Sequence, residues 1–187
     1  MPINTGDYSE DGAPRVTYNH PVTGESVETF QPWKTIKKSS NYWHLKYSEN
    51  QATCLVSNNI FIGDIDDLNF DWLQVVESYP QFKFRFYRTF KGYRFFVVNE
   101  TMSLFTAEKV VHGLFQDFHC DQLYVDQVWY SSEFAARLTP KLDREELIIC
   151  ELIYCNARWT DIPQFMQDAL KVHDLFTLNY NPLAYNL

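Results

Sequence analysis

Glycine is scarce, with six in 187 residues, and this argues against glycine-rich phosphate loops and repeat arrays. The four cysteines, Cys54, Cys120, Cys150 and Cys155, form no CxxC pair and no dense framework. They read as reduced, mostly buried thiols of a cytoplasmic protein. A long apolar run is missing too: the most apolar stretch, Leu147 to Cys155, is interrupted by Glu151 and is too short to span a bilayer. Met1-Pro2-Ile3-Asn4 lacks the basic start and apolar stretch of a signal peptide. Positive charge is in deficit, with 16 Lys+Arg against 24 Asp+Glu and a net charge of −8. Non-specific duplex binding through a uniformly basic surface is therefore disfavoured, although a local basic groove is compatible with that balance.

Aromatic side chains are abundant: 15 Phe, 12 Tyr and 5 Trp. The length suits one domain with a sizeable core. Residues 1–26 are polar and rich in turn formers, and they read as a loosely ordered N-terminal arm with a short hairpin around His20-Pro21-Val22-Thr23-Gly24. Residues 27–187 read as a single α+β domain.

From Asn59 onward the periodicities sharpen. Ile60 to Asp66 is a short, apolar, β-branched run that ends in acid, which suits a buried strand. The apolar spacing of Leu68, Trp72, Val75 and Val76 predicts a helix near 68–78, closed by Pro80. In Gln81 to Phe90, residues Phe82, Phe84 and Phe86 alternate with Lys83, Arg85 and Tyr87, so the strand has one buried and one outward face. Lys91-Gly92 turns the chain into Tyr93–Val98, an antiparallel hairpin. Thr106 is expected to cap a second helix to about Phe118. Phe134–Thr139 and Leu147–Tyr154 read as strands, and 162–172 as a helix. Over 59–139 the order is a ferredoxin/RRM-like βαββαβ core, with helices on one sheet face and the other left for chemistry or binding.

Two constellations carry candidate chemistry. Asp64 and Asp66 lie two apart at a strand end, so both carboxylates share a face. Such a pair suits Mg²⁺ or Mn²⁺, a hard cation held by one or two carboxylates plus substrate phosphates. The competing reading makes Asp66, Asp67 and Asn69 caps of the following helix. On the hairpin, Lys83, Arg85 and Tyr87, with Tyr93 or Arg94 across the turn, would array cations and aromatics on one sheet for bases and phosphates. The competing reading is an ordinary half-exposed strand. His112, His119, Cys120 and Asp121 lack the tight ligand pairs of structural zinc and read as helix packing and a polar helix end.

The strand Ile60–Asp66 with its Asp-Ile-Asp, and the hairpin Tyr87-Arg88-Thr89-Phe90-Lys91-Gly92-Tyr93-Arg94-Phe95-Phe96, resemble the catalytic core of archaeo-eukaryotic primases and primase-polymerases. Phe134-Ala135-Ala136-Arg137-Leu138-Thr139-Pro140-Lys141 is similar to an arginine-bearing strand of primase-like bacterial and phage proteins. The resemblance covers roughly residues 58–142. It implies metal ligands at Asp64 and Asp66, a third acid at Asp126 with Asp121 behind it, phosphate contacts at Arg88 and Arg94, and a second basic contact at Arg137 and Lys141. Where the primase pattern has a histidine, this chain has Arg94, with Tyr93 beside it. Arginine grips phosphate but does not act as an imidazole. The expected function is thus binding of nucleotide or single-stranded nucleic acid, with metal-dependent nucleotidyl transfer reduced or lost. The alternative is a non-enzymatic protein-interaction module on a degenerate primase-like fold.

Overall fold

The computed structural model describes residues 15–30, 33–37, 42–48, 52–140 and 148–177. Arg15–Asn19 (β1) and Ser26–Phe30 (β2) form an antiparallel hairpin. A four-stranded sheet follows the order β3-β4-β5-β9, built from Trp33–Lys37, Trp43–Ser48, Thr53–Ser57 and Phe134–Arg137. The other four-stranded sheet follows the order β10-β7-β8-β6, from Glu151–Cys155, Phe84–Arg88, Tyr93–Val97 and Ile62–Ile65. Helices are Trp72–Glu77 (α1), Glu108–Asp117 (α2), Gln122–Ser131 (α3) and Gln164–Phe176 (α4), with a 3-10 turn at Trp159–Asp161. Among the described residues no helix is long and apolar enough to cross a membrane.

The hairpin expected at 81–98 is present, with Phe86 opposite Phe95 and Tyr87 opposite Arg94. Its phenylalanine face is the core. Phe86 and Phe95 stack at 4.7 Å, Phe95 meets Phe118 at 4.5 Å, and Trp72 stacks on Phe86 at 4.5 Å. Such rings each contribute roughly 1.5–3 kcal/mol by burial, plus a preference for offset or edge-on contact. Both α1 and the end of α2 therefore lie on this face. Two glycines permit the close strand packing: a Cβ at Gly63 would sit 2.1 Å from the Phe95 ring, and one at Gly92 would sit 1.7 Å from the Ile65 carbonyl oxygen.

Several boundaries differ from the sequence reading. Helix α1 begins at Trp72, because Asp71 accepts the Gln74 N–H and caps it. Asp67 instead turns the loop before it, accepting from the Asn69 N–H at 2.9 Å, and Asp66 is exposed. Thr106 does not cap α2, whose N-cap position is Ala107 with no side-chain bond. Within the expected arm, residues 15–26 are paired and seated: Tyr18 donates its hydroxyl to Asp126 of α3 at 3.2 Å. Residues 1–14 lie outside the described residues.

The closing strand of the expected βαββαβ unit is the main difference. Strands β6, β8 and β7 lie in the order that unit requires, but β9 pairs with β5 in the other sheet. Helix α3, which the sequence reading did not include, accounts for this. Its Tyr124 hydroxyl donates to the Ile62 carbonyl at 2.6 Å and accepts from the Ala135 N–H at 3.2 Å. The Asp121 N–H donates to the Asp64 carbonyl at 2.8 Å. The outer acceptors of β6 are thus already satisfied by α3, so a further strand finds no ladder there.

Candidate functional site

Asp64 stands on the edge strand β6, where the two sheets meet, directly across from Arg94 of β8. Burial at this junction pushes its carboxyl up; Arg94 and Arg137 pull it down; Asp66 and Asp121 push it up again. The balance lifts it to about 6, into the range useful for proton transfer near neutral pH. Arg137 enters this field from β9, and Asp121 enters it as the N-cap of α3, accepting the Tyr124 N–H at 3.1 Å. Asp64, Asp121 and Arg137 are partly accessible, whereas Arg94 is buried.

Behind Asp64 runs a buried polar chain. Arg94 donates from Nη1 to Nε2 of His173 on α4 at 3.1 Å, and lies 3.6 Å from the Cys150 sulfur. Guanidinium only donates, so His173 Nε2 is the acceptor and the ring proton sits on Nδ1. That proton faces Asp174 Oδ1 at 2.9 Å. Asp174 also accepts from the Tyr87 hydroxyl at 2.6 Å and from Arg85 Nη2 at 3.2 Å, and Arg85 Nε donates to the Tyr87 oxygen at 2.6 Å. Burial, with Arg94 close by, lowers His173 to about 4 despite Asp174, so its ring is neutral. Burial would raise Asp174, but His173, Arg85 and Tyr87 outweigh it and hold the carboxyl below its ordinary value. Burial lifts the Cys54 thiol to about 11 and raises that of Cys150, which leaves both as poor nucleophiles.

This chain corrects the expectation of an outward basic face. Arg85 and Tyr87 do lie opposite the phenylalanines, but α4 covers that face and both side chains are buried. The aspartate needed to neutralise Arg85 arrives from 89 residues away. Lys83 is exposed, and Arg88 is exposed in an ion pair with Glu151 of β10. Asp126 is placed away from the Asp64 corner, held by Tyr18 and by the Gln122 amide at 2.7 Å. Of the two acids expected to complete the site, it is Asp121, not Asp126, whose charge reaches Asp64, alongside that of Asp66. Lys141 lies outside the described residues.

His173 and Asp174 were absent from the sequence reading. A signal existed: they share the buried side of an amphipathic helix with Met166, Ala169 and Leu170, and charge on an apolar stripe needs a partner. Among the described residues, no group of three His, Cys, Asp or Glu side chains converges to hold a metal ion. Comparison with protein-family models, curated proteins and solved structures found no match.

Proposed function

We propose that this domain binds a nucleotide through its phosphates at the corner made by Asp64, Arg94 and Arg137. The supporting observation is the placement of Asp64 directly across from Arg94 on the neighbouring strand, with the Arg137 charge from β9 acting on the same carboxyl. Arginine forks match phosphate oxygens and bind them through charge-assisted hydrogen bonds. Arg137 is the more accessible fork; Arg94 is buried and engaged with His173 and Cys150, so it adds positive charge from behind Asp64. Asp64 then serves as proton acceptor or as one ligand of Mg²⁺ or Mn²⁺, whose remaining ligands come from phosphate and water. A partner-binding module is the second reading. It is favoured by the burial of Arg85 and Arg94 beneath α4, which removes the two most central cations from solvent.

Isothermal titration with a nucleoside triphosphate, with and without Mg²⁺ or Mn²⁺, separates the two. Binding is expected in the wild type and should weaken by about 10–100-fold in Arg137→Ala, the value of one charge-assisted contact. Asp64→Asn should remove any cation dependence. Its melting temperature at pH 7 should be unchanged or higher, because the folded surroundings disfavour the ionised carboxyl. Absence of heat and of any melting shift at millimolar nucleotide in the wild type would leave the partner-binding module.

A further inference from the structure

We propose that His20 is a pH-operated latch: its protonation releases the β1–β2 hairpin from helices α2 and α3. His20 occupies the turn between the two strands and is 8% exposed. Its ring lies edge-on to His112 of α2 at 5.0 Å and against Trp129 of α3 at 4.9 Å. Nδ1 points back into the turn, accepting the Val22 N–H at 3.1 Å and the Thr23 N–H at 3.3 Å. The turn is closed by the His20 N–H to the Glu25 carbonyl and by the Gly24 N–H to the His20 carbonyl, both at 2.8 Å. Neutral imidazole is therefore required, with its proton on Nε2. An imidazolium has no lone pair at Nδ1. It would set an N–H against two N–H donors, forfeit both bonds and bring a cation against His112.

The groups facing the ring pull in both directions. Burial and His112 disfavour the cation, while Asp126 from α3 and Glu25 from the hairpin favour it. Tyr18 diverts part of the Asp126 charge by donating to it. The outcome is a His20 pKa below its ordinary value. A group lowered in the docked state takes up its proton when released, so docking is fully stable above about pH 6.5 and weakens as the pH falls below it. A cavity of about 350 Å³, lined by His20, His112, Phe115, Gln116 and His119 among others, adjoins the ring.

Hydrogen exchange between pH 7.5 and pH 5, corrected for intrinsic rates, tests the latch. Protection of amides 15–30 should fall as the pH drops, by at most about tenfold per pH unit, since one proton is taken up. Amides of β7 and β8 should hold. His20→Asn keeps an acceptor for the turn amides and cannot titrate, so it should remove the transition, whereas His112→Asn should retain one. PH-independent hairpin protection in the wild type, or the same transition in His20→Asn, would overturn the proposal. Should His20→Asn not fold, the wild-type His20 titration by NMR decides: a pKa at or above 6.5 sinks the latch.

Discussion

Asp174 is the residue on which most of the buried charge depends. Three donors converge on it from a histidine, an arginine and a tyrosine, and no water-facing path offsets their loss, because Arg85 and Asp174 are 2% and 1% exposed. Removing one partner of a buried pair strands the other charge in a poor solvent. Arg85→Ala should cost about 3–5 kcal/mol by that mechanism, whereas Lys83→Ala, exposed two residues earlier, should stay within about 0.5 kcal/mol. Urea denaturation of both variants checks this, and equal effects would contradict the burial assigned to Arg85. The neutral tautomer of His173 follows from the same geometry, since only an unprotonated Nε2 can receive Arg94. Asp64 lies at the opposite end of this chain. Its ionised form is disfavoured there, first of all by burial.

Among the elements, α3 decides the architecture. The helix supplies the Tyr124 hydroxyl, and its N-cap Asp121 a backbone N–H, to the free edge of β6, and it carries Asp126 and Trp129 to the β1–β2 hairpin. Tyr124→Phe removes the bridge and leaves the Ile62 carbonyl and the Ala135 N–H without it. The cost should be about 1–3 kcal/mol, the penalty for unsatisfied buried polar groups. A melting curve would show it, and a loss below about 0.5 kcal/mol would mean that water replaces the hydroxyl. The sequence reading missed this helix, although its signals are present. Asp121 is an N-cap residue type, and Val125, Val128 and Trp129 keep i, i+3, i+4 spacing behind it. What spacing alone does not reveal is that Tyr124 reaches across to a strand edge 62 residues away.

At the scale of the whole molecule, both faces of the β10-β7-β8-β6 sheet are covered, one by α1 and the end of α2, the other by α4. The Arg85 and Tyr87 side chains are therefore buried and do not present a stacking or phosphate-binding surface on that face. A labelled dT oligomer titrated at about 20 mM salt should bind weakly, without the slope of about −0.7 per phosphate contact that a cationic track produces. Steep salt dependence that disappears in Arg85→Ala would refute this placement of α4. Binding of a mononucleotide at the Asp64 corner needs no such track, so the two measurements report on different surfaces.

Local order in the chain was enough for the hairpin of 81–98, the phenylalanine core face and the strand that carries Asp64. Alternation and apolar spacing depend only on neighbours a few residues apart, and the Lys91-Gly92 turn closes over a handful more. Asp64 and Arg94 stand out from the acid-ended strand and the hairpin, and Arg137 only through the primase resemblance; the charges of both arginines act on Asp64. The sequence did not determine what lies over a face or along an edge. Alternation places Arg85 and Tyr87 opposite the phenylalanines, but whether that side meets water or a helix depends on α4, 89 residues on from Arg85 to Asp174. The partner of β9 depends likewise on which group reaches the β6 edge first, and α3 occupies it. Those choices rest on desolvation and hydrogen-bond satisfaction across long sequence separations, so only the tertiary structure decides between a basic binding face and a buried ion network.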